Sequence, residues 1–409
     1  MRIRYAILAA AVAAVLTACS SALSGTPVPG ETDIRALDTG SYPIEPLNAH
    51  DDDPVLPFYE MYEVAALRLA DYVISPGDIS SELIYGTSAA TAWRSVVPSW
   101  LGRGAGDIAV RHKLLYGFEV GGASIDKSIT SFDWPSKDPS NKFTGNTVVL
   151  QFPDSQRATA AAEELYDADF GLQEGRNQPV TLPAHPNARA HWRPDSPFLR
   201  TFMPHGSYVI GLLLSVPTPD RTALTTLAES AYTKQIEALS RTTPLTEEEV
   251  ITLPWDADHL LMRTLNPDQS TKPDSVGTGY LRTGKPGALH YAAGRLLPRD
   301  RAYVDKQLTA MNAEQIAIAA GTIVIRTPDP ESADRAVSEK LFPWQVRLGA
   351  DPAPKVPDTT CVENRPTDSV KRFSCLLAYN EYVGIVSSSQ LLDAHQRAAA
   401  QYAIFANTR

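Results

Sequence analysis

The chain has 409 residues, with 37 basic and 47 acidic side chains for a formal net charge of −10, and 43% of its residues are hydrophobic. An acidic balance disfavours nucleic acid and anionic lipid headgroups as partners, and a length above the usual ~100–200 residues per domain predicts more than one domain. Only three cysteines are present, too few for a disulfide-framed miniprotein.

Residues 1–18 have the parts of an export signal: Arg2 and Arg4, an apolar run over residues 5–16, then small residues. That run is shorter than the ~20 apolar residues a spanning helix needs, and no later segment is as long, so the mature chain is expected not to cross a membrane. Leu16-Thr17-Ala18-Cys19 resembles the bacterial lipobox. The resemblance implies cleavage before Cys19, a diacylglyceryl group on its thiol, and the membrane as a partner through that lipid. Two acyl chains, at ~0.8 kcal/mol per buried methylene, give stable attachment without a helix. Residues 19–54 then read as the lipidated cysteine and a flexible tether opening with SSALSGTPVPGETD, spanning on the order of 30 Å. Within the tether, LDTGSYP (37–43) mixes Leu and Tyr with turn residues, and its alternative is an extended strip packed on the body.

Helical spacing over residues 58–72 puts Tyr62, Ala65, Ala66 and Leu69 on one face. Beyond it the sequence repeats. NTVVLQFPDSQRATAAAEEL (146–165) matches GTIVIRTPDPESADRAVSEKL (321–341), each a β-branched run, a Pro-Asp pair and a helical pattern, with Asp154 and Asp329 as helix caps. FLRTFMPHGSYVIGLLLS (198–215) then parallels RFSCLLAYNEYVGIVSS (372–388) as a strand pair around a short turn, and helical stretches follow at 220–239 and 391–405. LLYGFEV (114–120) and ALHYAAG (288–294) are read as the strand preceding each unit. The expectation is an α+β protein of two similar modules, 55–245 and 246–409, each an antiparallel sheet with helices packed on one side and ferredoxin-like in flavour.

Together, the lipobox, LDTGSYP and the duplicated module resemble an uncharacterised family of large actinobacterial cell-envelope lipoproteins found in mycobacteria and nocardiae. The resemblance implies an anchor on the extracytoplasmic face of the cell membrane and an envelope role, and it carries no catalytic residues.

Motifs for chemistry are incomplete. GYLRTGKP (279–286) has the Gly and Lys of a phosphate loop but Pro286 where a hydroxyl must hold magnesium, GRGAGD (102–107) does not complete G-x-G-x-x-G, and G-x-S-x-G is missing. His50 and Asp51 to Asp53 read as a solvated charge run. His185, His191 and His205 form the one histidine group with metal potential: an extended strand would put His185 and His191 on one face, but accidental surface histidines are the simpler reading. Cys361 and Cys375 enclose thirteen residues around Pro366 and Asp368, and in an exported protein they are expected to form a structural disulfide. No cofactor is indicated. The function read from these features is a non-enzymatic binding or assembly module with an envelope protein or lipid as ligand; the alternative is a hydrolase of envelope lipid or glycan, marked by a Ser or Asp within reach of a histidine in a concave site.

Overall fold

The computed structural model describes residues 32–46, 58–125, 144–172, 175–254, 256, 259–265, 281–283, 300–319, 321–365 and 371–408. Cys19, the 47–54 run and the strand expected at 288–294 lie outside the described residues.

β-branched and aromatic runs form β1 (Tyr85–Ala92), β2 (Tyr116–Ala123), β3 (Thr144–Gln151), β4 (Gln178–Val180), β5 (Arg189–Trp192), β6 (Phe198–His205) and β7 (Tyr208–Ser215) in the first half. The second half holds β8 (Leu281–Thr283), β9 (Gln315–Ala319), β10 (Thr322–Arg326), β11 (Leu348–Ala350), β12 (Thr359–Glu363), β13 (Phe373–Tyr379) and β14 (Tyr382–Ser388). The first sheet runs β1-β2-β3-β7-β6-β5-β4 and the second, read from its other edge, β8-β9-β10-β14-β13-β12-β11. The two orders agree position for position, and the neighbouring strands are antiparallel in both. This identity of topology establishes the duplication. The strand matching β2 is β9, and the short strands β4, β5, β11 and β12 lie between the repeated helix and the hairpin.

The helices are α1 (Phe58–Leu69), α2 (Pro76–Ile79), α3 (Ala105–Arg111), α4 (Ser155–Gly171), α5 (Arg221–Leu239), α6 (Glu247–Ile251), α7 (Arg301–Ala310), α8 (Pro330–Ser338) and α9 (Leu391–Asn407). Asp154 caps α4 by accepting from the Arg157 N–H at 2.8 Å, and Asp329 caps α8 by accepting from Ser332 at 2.7 Å, with Pro330 in the first turn. Both hairpins turn through two residues, and the first of each, Gly206 and Asn380, has positive φ, which Gly and Asn tolerate best.

The α+β class and antiparallel sheets are as expected, but helices cover both faces of each sheet. On the first, α3 and α4 bury Val148, Leu150 and Phe202, while α1 and α5 bury Val149, Ile210 and Leu212. On the second, α7 and α8 bury Ile323, Ile325 and Leu376, while α9 packs on Val324, Leu377 and Val386. β7 is accordingly buried along its whole length. The faces under α1, α5 and α9 join in one hydrophobic core, and Ile34–Arg409 forms a single compact unit.

LDTGSYP takes the alternative role, an extended strip on α9. Leu37 enters the shared core, Gln396 donates to the Asp38 carboxylate at 3.1 Å, and the Tyr42 hydroxyl donates to Asp393. Gly40 has φ +56°, and a Cβ there would stand 2.8 Å from Gln396 Oε1, so a side chain at this position would be strained and would displace Gln396. The tether expected to run through residue 54 is therefore interrupted by a docked segment.

Candidate functional site

The most heavily charged buried cluster of the described residues lies under α4. Strand pairing sets His191 of β5 opposite Arg200 of β6, on the face that α4 covers, and the last turn of α4 brings Asp169 down to them. His191 Nε2 donates to Asp169 Oδ2 at 2.9 Å, and Arg200 Nη1 donates to Asp169 Oδ1 at 2.7 Å. A carboxylate only 3% exposed would be costly unless ion-paired and hydrogen-bonded, and here both oxygens are engaged. Tyr166 and Phe170 of α4 meet the His191 ring edge-on, each at 5.7 Å, and fix its plane.

Arg200 Nη1 also donates to the Trp100 carbonyl at 2.8 Å, while the Trp100 indole N–H donates to Glu119 Oε1 at 2.8 Å. Ser88 and Asn146 donate to the same oxygen at 3.0 and 3.2 Å. Burial pushes the Glu119 carboxyl above its ordinary range, and these three hydrogen bonds pull it partly back. A polar belt thus crosses the first sheet from His191 to Ser88, with Trp100 linking its two ends.

Beside Asp169 and Arg200 a cavity of ≈ 210 Å³ opens, lined also by Asn177, Arg193, Ser196 and Leu213. The Arg200 side chain is 30% exposed. Among the described residues no side chain pairs with Arg193. Nearby carboxylates each have their own cation: Asp167 pairs with Arg189 and Asp195 with Arg176, both at 3.1 Å.

The duplication supplies an internal comparison. Hairpin and strand registers place Val362 at the position of His191, Ser374 at that of Arg200 and Ile318 at that of Glu119. The second module keeps only a neutral network there, in which Trp344 donates to Asn364 at 3.1 Å and Asn364 to Ser374 at 2.8 Å. Features needed for the fold recur in both modules; among the described residues the charged cluster occurs in the first alone.

The three histidines singled out from the sequence do not converge. His185 precedes β5 and its Nε2 contacts the Glu229 carbonyl and Thr233 Oγ1 of α5, both at 3.0 Å, on the face opposite His191; His205 is half-buried at the β6–β7 turn. The strand needed to align His185 with His191 starts only at Arg189. Cys361 and Cys375 face each other on β12 and β13 in a disulfide with Cα atoms 4.1 Å apart. Ala190 and Thr201 occupy these positions in the first module. Cys361, Cys375 and His395 lie close enough to hold a metal, with ligand atoms within 4.8 Å of one another, but the disulfide uses both sulfurs and His395 Nε2 contacts the Asp351 carbonyl at 2.8 Å. Gly102 and Gly104, of the GRGAGD stretch, turn the chain into α3. Asp169, Arg200 and Glu119 were not singled out; their one sequence signal is a charge interrupting an apolar strand or helix face.

The chain matches the DUF7373 N-terminal domain of unknown function over residues 57–255 and the DUF7373 C-terminal domain over residues 260–408. It belongs to that two-part family. No curated protein matches it. Among solved structures, the extracellular domain of PknH from Mycobacterium tuberculosis is similar over 45% of this chain and 100% of that one, at 11% identity and a TM-score of 0.29. Among the described residues, no helix is long and apolar enough to cross a membrane.

Proposed function

We propose that this is an exported envelope lipoprotein of actinobacterial type, anchored through Cys19, whose first module binds a small ligand in the cavity beneath α4 without transforming it. The export signal and lipobox support the anchor. The observation that carries the binding role is the charged cavity of the first module, at positions where the second module of the same topology carries neutral residues. A His held by an Asp is part of a hydrolytic triad, but the nucleophile is missing: among the described residues no Ser, Thr or Cys side chain is hydrogen-bonded to His191, and Asp169 is shared with Arg200.

Metabolic labelling with a fatty-acid probe tests the anchor: wild type is labelled, and Cys19→Ala is unlabelled and either released or unprocessed. Unchanged labelling of the variant contradicts it. For the cavity, a thermal-shift screen compares wild type with Leu213→Trp, which fills the space; compounds should raise the wild-type melting temperature and not the variant's. Equal shifts in both contradict the site.

The hydrolase reading keeps one observation in its favour, the Asp169–His191 pair beside Ser196 in a concave site. Labelling by a fluorophosphonate probe that is lost in Ser196→Ala would establish it; no labelling is expected.

A further inference from the structure

We propose that the cavity of the first module is an oxyanion site, taking a small soluble ligand through a phosphate or carboxylate group held between Arg193 and Arg200. The inference rests on the binding role proposed above and specifies its ligand class. Among the described residues each carboxylate around the cavity is matched: Asp167 by Arg189, Asp169 by Arg200 and His191, Asp195 by Arg176. Arg193 is left over, a positive charge beside a cavity in a chain whose net charge is −10. A guanidinium has five N–H donors, and Arg200 uses only Nη1, on Asp169 and Trp100, so its remaining donors are available. Asp169 and the Trp100 carbonyl hold the Arg200 fork in place before any ligand arrives, which lowers the ordering cost of bidentate recognition.

Size and field then choose the source. A space of ≈ 210 Å³ holds a headgroup-sized molecule and falls below the ~300 Å³ at which pockets for drug-sized ligands begin. The acidic chain as a whole repels an anionic membrane, which favours a free ligand over the headgroup of a bilayer lipid. In the second module Ser374 and Asn364 replace Arg200 and Arg193, so that module offers no such cation pair.

The test is calorimetric titration of the mature, unlipidated chain with glycerol 3-phosphate and with acetate, glycerol serving as the neutral control, beside sedimentation with phosphatidylglycerol and phosphatidylcholine vesicles. At least one soluble oxyanion should bind and glycerol should not. Arg193→Gln, which breaks no hydrogen bond or ion pair among the described residues, should weaken binding at least tenfold, and Arg200→Lys, which keeps the charge and loses the fork, by a similar factor. Binding only to phosphatidylglycerol vesicles, weakened by Arg193→Gln, would keep the oxyanion chemistry and overturn the free-ligand source. No binding to any oxyanion, or binding indifferent to both substitutions, overturns the proposal. A neutral compound that stabilises wild type and not Leu213→Trp would overturn it while leaving the binding role intact.

Discussion

Gln235 of α5 and Gln401 of α9 each make the same pair of hydrogen bonds to a segment of backbone. Gln235 accepts from the Ile74 N–H at 3.0 Å and donates to the Tyr72 carbonyl at 2.7 Å. Gln401 accepts from the Leu265 N–H at 2.8 Å and donates to the Arg263 carbonyl at 2.7 Å. Each amide, fully buried, substitutes for a missing strand partner where the chain leaves a short 3-10 turn and enters the core.

Replacing either glutamine by Ala strands a buried backbone N–H and a buried carbonyl. Each variant should lose about 2–4 kcal/mol of unfolding free energy in denaturant titration, since one unsatisfied buried group costs ~1–3 kcal/mol. A loss below ~1 kcal/mol at either site would show that the clamp is not structural.

Glu119 should make stability depend on pH. Its pKa is raised on folding, so the folded state holds the proton more tightly, and stability falls as pH rises from the unfolded value near 4.5 through the raised folded value. Glu119→Gln removes that dependence while its amide oxygen can still accept from Ser88, Trp100 and Asn146. Relative to wild type, its melting temperature should gain most at neutral pH, and the gain should shrink toward pH 4.5. A constant difference across that range contradicts the assignment.

The Cys361–Cys375 disulfide closes a loop of 14 residues' separation between β12 and β13. Cys361→Ala/Cys375→Ala should lower stability by ~3 kcal/mol on the entropic account, and denatured, unreduced mature protein should show no titratable thiol from this pair. Two reactive thiols would contradict the bond.

The docked strip should detach when its polar latch is cut. Tyr42→Phe removes the hydroxyl bonded to Asp393 and leaves the ring under Arg397, whose guanidinium carbon is 4.9 Å from the ring centroid. Faster tryptic cleavage after Arg35 is expected, with the melting temperature of the body little changed. Equal cleavage rates would show that the Tyr42–Asp393 bond does not hold the strip.

Much of this fold was legible because its signals are local. Pro-Asp pairs ahead of helical patterns, the His205-Gly206 and Asn380-Glu381 turns, and the apolar face of α1 each lie within one short window. The short strands β4, β5, β11 and β12 were not, since three to five residues carry too little periodicity and their pairing is fixed by the neighbouring strand. The site was hidden for a related reason: Asp169, His191 and Arg200 come from α4, β5 and β6, and only their pairing register brings them together. Of the three histidines read as accidental surface residues, His185 and His205 lie apart from the site, whereas His191 is buried in it, because an isolated histidine in a four-residue strand carries no burial signal of its own.

The measurement that bears most directly on the first-module cavity as a ligand site is native mass spectrometry of the protein purified from the cells that naturally make it, wild type beside Leu213→Trp. The account predicts one small-molecule adduct per wild-type chain and none on the variant. An unadducted wild-type chain, or the same adduct on both proteins, would contradict it.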